Sequence, residues 1–331
     1  MTYENKPFTI LTESWFLSDR IKRAILRFGG KILGRKIYGP VAVFDSLVRW
    51  LDQINNAKAS KSDNLNNIYK YNVNPPISQI HETVIVLMLT DTLRYALELK
   101  KQWKIKYIYA GPAISVPLGK DDIFFDQWID KIVVPSQRVA NYFKSICPES
   151  ADRILIWPAG VCDTWISQKR NNKLLIYKKT CPEDIYIWVT EILKAKNIPF
   201  DVIEYGKFDF DIYMDKLDKC VGIVYLQESE SQWLALQEAW IKDIPTLVRN
   251  RWFWKYQTAY REDRKISAPY LTDHCGIFFS DQKDFENKVD IFINNIDNYQ
   301  ARKYCIVNLS DIQTTKLLLN FINNKKHVKI P

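Results

Sequence analysis

Short apolar runs alternate with longer amphipathic segments along this chain, and that rhythm restricts the fold more than any other feature of its 331 residues. "TVIVLML" (83–89), "IKYIYAG" (105–111) and "DKIVVPS" (130–136) read as buried strands, and "DTLRYALELKKQW" (91–103) and "RVANYFKSI" (138–146) as helices. Ahead of them, "PVAVFDSLVRWLDQI" (40–54) predicts a helix opened by Pro40 after Gly39, and the polar stretch 55–67 a surface excursion. A second cycle follows: "KLLIY" (173–177), "PEDIYIWVTEILKAKN" (182–197), "FDVIEYG" (200–206), "VGIVYL" (221–226), a helix over 233–242 and "IPTLV" (244–248). Continuous apolar strands joined through helices predict α/β architecture, with parallel sheets covered on both faces. One core supports roughly 100 to 200 residues, so two doubly wound domains are expected, an N-terminal one over 1–165 and a C-terminal one over 166–331. Two such domains leave a cleft, and in open parallel sheets ligands sit beyond the carboxyl ends of the strands. The loop 227–232 stands at such an end, ahead of a helix N-terminus whose unpaired N–H groups favour phosphate.

Composition removes several classes. Apolar residues make up 47% and charged ones 26%, which is globular rather than disordered. The six cysteines form no C-x-x-C pair and meet only three histidines (His81, His274, His327), so no zinc site is expected. The longest apolar stretch, "VIVLML" (84–89), falls far short of the roughly 18 residues of a membrane span. The opening "MTYENKPFTI" has no signal-peptide pattern, and a cytoplasmic location is the expectation. The ten glycines yield neither G-x-G-x-x-G nor G-x-x-x-x-G-K-[ST], and no G-x-S-x-G elbow is present. Dehydrogenase, P-loop and α/β-hydrolase readings lose their support.

Of the net charge of +9, the segment 18–36 holds +6, with Arg20, Lys22, Arg23, Arg27, Lys31, Arg35 and Lys36 against Asp19. Ile21, Ala24, Ile25 and Phe28 recur at helical spacing, so it reads as a basic amphipathic helix stopped by Gly29-Gly30. Such a face attracts an anionic membrane surface or a phosphorylated ligand, although an ordinary surface helix with its Arg/Lys face in water is the favoured reading. "RNRWFWKYQTAYR" (249–261) mixes three Arg, one Lys and five aromatics, a composition able to stack on single-stranded nucleic acid. No RNA-binding motif accompanies it, and a loop of snorkelling arginines and core aromatics is the favoured reading.

The helix over 233–242 is apolar nearly all the way round, interrupted by Gln237, Glu238 and Lys242, which predicts burial by neighbours. Glu230 and Glu238 lie roughly 12 Å apart along a helix axis and about 80° beyond two full turns, so they grip two ends of a ligand rather than one atom. On the residues alone a second reading stands beside this one. Glu238 and Lys242 make an i,i+4 pair, and Glu228 and Glu230 are acids favoured near a helix start.

"ESQWLALQEAWIKDIPTLV" (230–248) resembles the Glu, seven residues, Glu segment of retaining GT-B glycosyltransferases of the family 4 type, E-G-F-G-L-V-L-L-E-A-M-A-x-G-x-P-V-V. Glu230, Leu234, Leu236, Glu238, Ala239 and Pro245 match without a gap. "VVPSQRVANYF" (133–143), "IWPAGVCDTW" (156–165) and "APYLTDHCGIFFSD" (268–281) resemble other pieces of that family in the required order. The resemblance implies two Rossmann-like domains facing across a cleft, and transfer of a sugar from a nucleotide diphosphate sugar to a hydroxyl acceptor. It further implies retention by same-face attack. By carry-over Glu230 meets donor-sugar hydroxyls and Glu238 the ribose, while Lys178 and Lys179 hold the diphosphate, with Lys179 also catalytic. Ser229, Ser231 and Gln232 complete the expected donor site. No metal or other cofactor is expected, and the acceptor is a glycan or a lipid-linked hydroxyl, met at the inner membrane face through 18–36. "KKTCPED" (178–184) departs from the family's G-R-x-x-P-E-K in placing Asp184 where a lysine stands. Trp233 occupies a common glycine position, and "YAGPAISV" (109–116) shows no histidine for the sugar. These departures leave open an inactive binding protein of the same architecture that recruits an enzyme.

Overall fold

The computed structural model describes residues 6–12, 39–59, 69–87, 89–112, 116–164, 171–229, 234–256, 259–263 and 265–323. They divide into two compact units, one of 6–12, 39–160 and 311–323, the other of 161–310. In the first, β1 (Phe8–Leu11), β2 (Tyr71–Val73), β3 (Thr83–Val86), β4 (Tyr107–Ala110), β5 (Lys131–Val134) and β6 (Ile154–Ile156) form a parallel sheet in the order β2-β1-β3-β4-β5-β6. The helices α1 (Gly39–Ala59), α2 (Thr90–Lys101) and α3 (Gln137–Ile146) lie between β1 and β2, β3 and β4, and β5 and β6. All four residues of β1 and of β3 are buried, as strands covered on both faces require. Ser136 caps α3 through Val139 N at 3.4 Å, which fixes the exit from β5.

The second unit builds its sheet from β7 (Leu174–Lys178), β8 (Phe200–Glu204), β9 (Gly222–Leu226), β10 (Thr246–Arg249) and β13 (Gly276–Phe279), all parallel, in the order β13-β10-β9-β7-β8. Its helices are α4 (Glu183–Ala195), α5 (Phe210–Lys219), α6 (Leu234–Ile241), α7 (Gln282–Asn294) and α8 (Ala301–Asn308). On one face Leu174, Ile176, Val224, Leu226 and Leu247 pack with Val189, Phe285, Val289 and Phe292 of α4 and α7. On the other, Leu175, Tyr177, Ile223, Tyr225 and Val248 pack with Leu217, Leu236, Trp240 and Cys305 of α5, α6 and α8. Gly276 lies beside the Thr246 backbone at φ +143, where a Cβ would strike the Thr246 carbonyl, so this strand entry requires glycine. The segment expected to loop at 249–261 instead continues from β10 into an antiparallel hairpin, β11 (Phe253–Tyr256) and β12 (Ala259–Glu262). Phe253 and Tyr260 stack across it, and Trp252 and Tyr260 are exposed rather than part of a core.

The last helix, α9 (Asp311–Ile322), follows the whole second unit in the chain yet packs on α1 within the first, whereas the sequence division keeps 166–331 together. Its placement has local causes. Leu318 and Leu319 are buried, the Trp157 indole donates to the Thr314 carbonyl at 2.9 Å, and Ser46 Oγ donates to Asp311 Oδ1 at 2.5 Å. Arg49 Nε reaches the other Asp311 oxygen at 3.2 Å. The approach is close enough that a Cβ on Gly160 would collide with Thr314 Oγ1 and come within 2.7 Å of the Asp311 Cα and of Ser46 Oγ. Gly160→Ala is therefore expected to destabilise the chain by about 1–3 kcal/mol through overpacking, read as a lowered urea midpoint with an unchanged slope.

Candidate functional site

In the second sheet the chain leaves β7 through α4 toward β8 on one side, and leaves β9 through α6 toward β10 on the other. Adjacent strands whose connections diverge open a crevice at their carboxyl ends. The two loops that border it are stitched at their base. Lys179 N donates to the Leu226 carbonyl at 2.9 Å, and Glu228 N to Thr180 Oγ1 at 3.4 Å. A third segment joins them: the Gln227 amide donates to the Ser267 carbonyl at 3.2 Å, and Ser267 N to Asn250 Oδ1 at 3.3 Å. Gln227, Asn250 and Ser267 are fully buried, so the polar edge is held from beneath.

Strand periodicity sorts the cations that ring this edge. Lys178 follows Leu174 and Ile176 onto the α4 face, where its ammonium pairs with Glu183 and lies 4.5 Å from the centre of the Tyr186 ring. That hydrogen bond to Glu183 raises the Lys178 pKa, keeping it charged. Lys179 lies over the Tyr205 ring at 4.6 Å. Arg249, the last residue of β10, shares the α4 face with Leu247, and Arg251 bonds Glu228 at 2.6 Å while stacking on Phe253 at 4.2 Å. Burial pushes the Cys181 thiol between these loops up to about 11, so it stands as a thiol rather than a nucleophilic thiolate.

The helix α6 is enclosed as its wheel predicts, with Leu236, Ala239 and Trp240 at 0% exposure. Glu238 shares its more open side with Leu234 and Ala235. The Tyr213 hydroxyl donates to the Ala235 carbonyl at 2.5 Å and ties α5 to this turn. The i,i+4 pairing with Lys242 does not form; Lys242, only 6% exposed, reaches Asp218 at 2.6 Å instead. Among the described residues no hydrogen bond or ion pair engages the Glu238 carboxyl, and the protein around it pushes its pKa up to about 8 although the residue stays partly accessible.

Of the expected site residues, Lys178, Lys179, Ser229 and Glu238 are carried by these loops and α6, while Glu230, Ser231, Gln232, the neighbouring Trp233 and the basic segment 18–36 lie outside the described residues. Sequence reasoning missed Asn250 and Ser267 here, and set Arg249 and Arg251 in a loop of snorkelling arginines rather than at this edge. The available signal was position: Arg249 directly follows the apolar run "TLV", at the carboxyl end of a parallel strand. Among the described residues no cluster of His, Cys, Asp and Glu suits a metal ion, and no helix is long and apolar enough to cross a membrane.

In the folded chain Glu238 keeps its proton to about pH 8, whereas an unperturbed glutamate loses it near 4.5. The stability from this raised pKa is fully present below the lower value, falls as pH rises between the two and levels off above the higher. Glu238→Gln removes that fall, so the unfolding free energy of the variant should gain on the parent from about pH 5 to about pH 8 in urea titrations.

No family model matches the chain, and no curated protein matches it in sequence. Among solved structures it is similar to the lipopolysaccharide outer core galactosyltransferase WaaB in its apo form, with 12% identity and a TM-score of 0.58 over 96% of this chain and 99% of that one. It is also similar to a Listeria monocytogenes protein assigned as a UDP-N-acetylglucosamine 2-epimerase, with 10% identity and a TM-score of 0.50 over 98% of each chain. Identities this low carry the fold alone. The chain has two Rossmann-like, doubly wound α/β units, the GT-B fold.

Proposed function

We propose that the chain is a retaining glycosyltransferase that moves a sugar from a nucleotide diphosphate sugar to a hydroxyl of a glycan or lipid-linked acceptor. The observation that carries this reading is the divergence of β7 and β9, which sets Lys178 and Lys179 at one crevice and begins α6, with Glu238, beyond it. WaaB is described as a galactosyltransferase of the lipopolysaccharide outer core, which supports a sugar donor and a glycan acceptor. Breaking the bond between sugar and diphosphate loads negative charge on the leaving phosphate, and fixed cations and backbone N–H groups lower that barrier. Lys178 and Lys179 supply this charge stabilisation without a metal, with Lys179 nearest the bond that breaks. Glu238 takes the ribose hydroxyls, Glu230 the donor-sugar hydroxyls, and Ser229, Ser231 and Gln232 line the donor. The basic segment 18–36 brings the chain to an anionic membrane face in the cytoplasm, where a lipid-linked acceptor is found.

Glu238 gives this reading a proton signature. Ribose hydroxyls donating to its carboxylate favour the charged form, so a glutamate protonated up to about pH 8 releases a proton when a nucleotide binds near neutrality. A thermal-shift panel of UDP, GDP, CDP and ADP with their sugars identifies the donor base, and a turnover assay follows. Because one fold neighbour is assigned as an epimerase, the assay separates a glycoside plus free nucleoside diphosphate from an epimerised sugar nucleotide. Glu238→Ala is expected to weaken nucleotide affinity on the order of tenfold or more and to abolish the buffer-dependent part of the binding enthalpy. Glu230→Ala should lower transfer on the order of a hundredfold while sparing nucleotide affinity. Undiminished turnover in both variants would reject the assignments, and binding without turnover of any panel member would mark a binding protein.

A further inference from the structure

We propose that Arg249 is an anion anchor of the second unit, gripping the diphosphate of a bound nucleotide from the end of β10. The inference rests on reading this unit as the one that binds the nucleotide sugar, and it adds a residue from a strand to which that reading assigns nothing. Three of the cations at this edge are already engaged: Lys178 with Glu183 and the Tyr186 ring, Arg251 with Glu228 and Phe253, Lys179 with the Tyr205 ring. Arg249 differs. Its Nε and one terminal nitrogen are enclosed and have no hydrogen-bond partner among the described residues.

A guanidinium cannot shed its charge by losing a proton, and its five donors demand acceptors. Enclosing it unpaired costs more than enclosing an apolar side chain of the same length. A guest anion removes that cost. The planar fork of the guanidinium suits two phosphate oxygens at once, which an ammonium cannot match. The surroundings fit such a guest. Burial lowers the Arg249 pKa, and the titratable groups that act on it, Cys181, Arg251, Glu228 and Asp184, put it near the loop after β7, the loop after β9 and the first turn of α4. Glu228 and Glu183 are already taken by Arg251 and Lys178. Arg249 and Lys178 end strands two positions apart on the same face, with backbones about 10 Å from one another, so a diphosphate held by Arg249 lies in the field of the Lys178 ammonium while that ammonium stays paired with Glu183.

The test uses the full chain with inorganic pyrophosphate and with the nucleoside diphosphates UDP, GDP, CDP and ADP, read by thermal shift and calorimetry. Arg249→Met keeps the length and removes the charge; Arg249→Lys keeps the charge and removes the fork; Lys106→Met, an exposed cation of the first unit paired with Glu82, controls for general electrostatics. Arg249→Met is expected to melt no lower than the parent without ligand and to bind pyrophosphate at least tenfold more weakly. Arg249→Lys should fall between, and Lys106→Met should match the parent. A pyrophosphate affinity within twofold of the parent in Arg249→Met overturns the anchor, and so does a lower melting temperature without ligand, which marks a structural role. Nucleoside diphosphate binding that persists undiminished in Arg249→Met overturns the anchor and leaves the glycosyltransferase reading standing. A pyrophosphate response abolished in Arg249→Met, with no nucleotide or nucleotide sugar bound by the parent, sustains the anchor and removes that reading. A parent that answers neither probe overturns both.

Discussion

Parallel pairing of β7 with both β8 and β9 is the constraint on which the second unit depends. Parallel neighbours cannot be joined by a tight turn, so the chain returns through a helix after β7, β8 and β9 and through the β11–β12 excursion after β10, and every strand points its carboxyl end the same way. The faces of the sheet are then consumed by helices, with Tyr177 and Tyr225 stacked at 4.7 Å beneath one of them. Polar side chains are left with the strand ends, where those of Thr180, Gln227 and Asn250 bond the backbone of Glu228 and Ser267. The chemistry proposed for this unit is concentrated there because the architecture leaves it little room elsewhere.

The same enclosure sets the electrostatics of α6. Packing around α6 strips solvent from its one acid, partly accessible as that residue is, and Glu238 holds its proton in consequence. Lys242, four residues on, is drawn to Asp218 on α5, because a lysine this deeply buried takes the anion that tertiary packing offers rather than the one its own helix supplies.

What was legible in the sequence follows the same division. Strands buried on both faces read as unbroken apolar runs, and β3, β7, β9 and β10 fall within or beside the stretches that announce them. The wheel of α6 announced its burial. The hairpin at β11 and β12 was hidden because its residues carry no Asn-Gly or Gly-rich turn signal, and short strands such as β2 have too few residues for a period to register. The partner of Lys242 and the unpartnered Nε and terminal nitrogen of Arg249 depend on residues distant in the chain, which spacing along one helix or strand does not encode. Glu230, Ser231 and Gln232 lie outside the described residues, so that part of the donor loop rests on sequence alone.

The return of α9 to the first unit reverses the usual order of assembly. During synthesis an amino-terminal domain ordinarily folds before the next one emerges. Here the indole of Trp157, the hydroxyl of Ser46 and the flank of α1 wait for a helix translated after all of residues 161–310. The described residues of the second unit, 161–310, are continuous in the chain and are all made before that helix. The contact at Gly160 thus cannot form on a nascent chain until residues 311–314 have been made, after the whole of the second unit's 161–310.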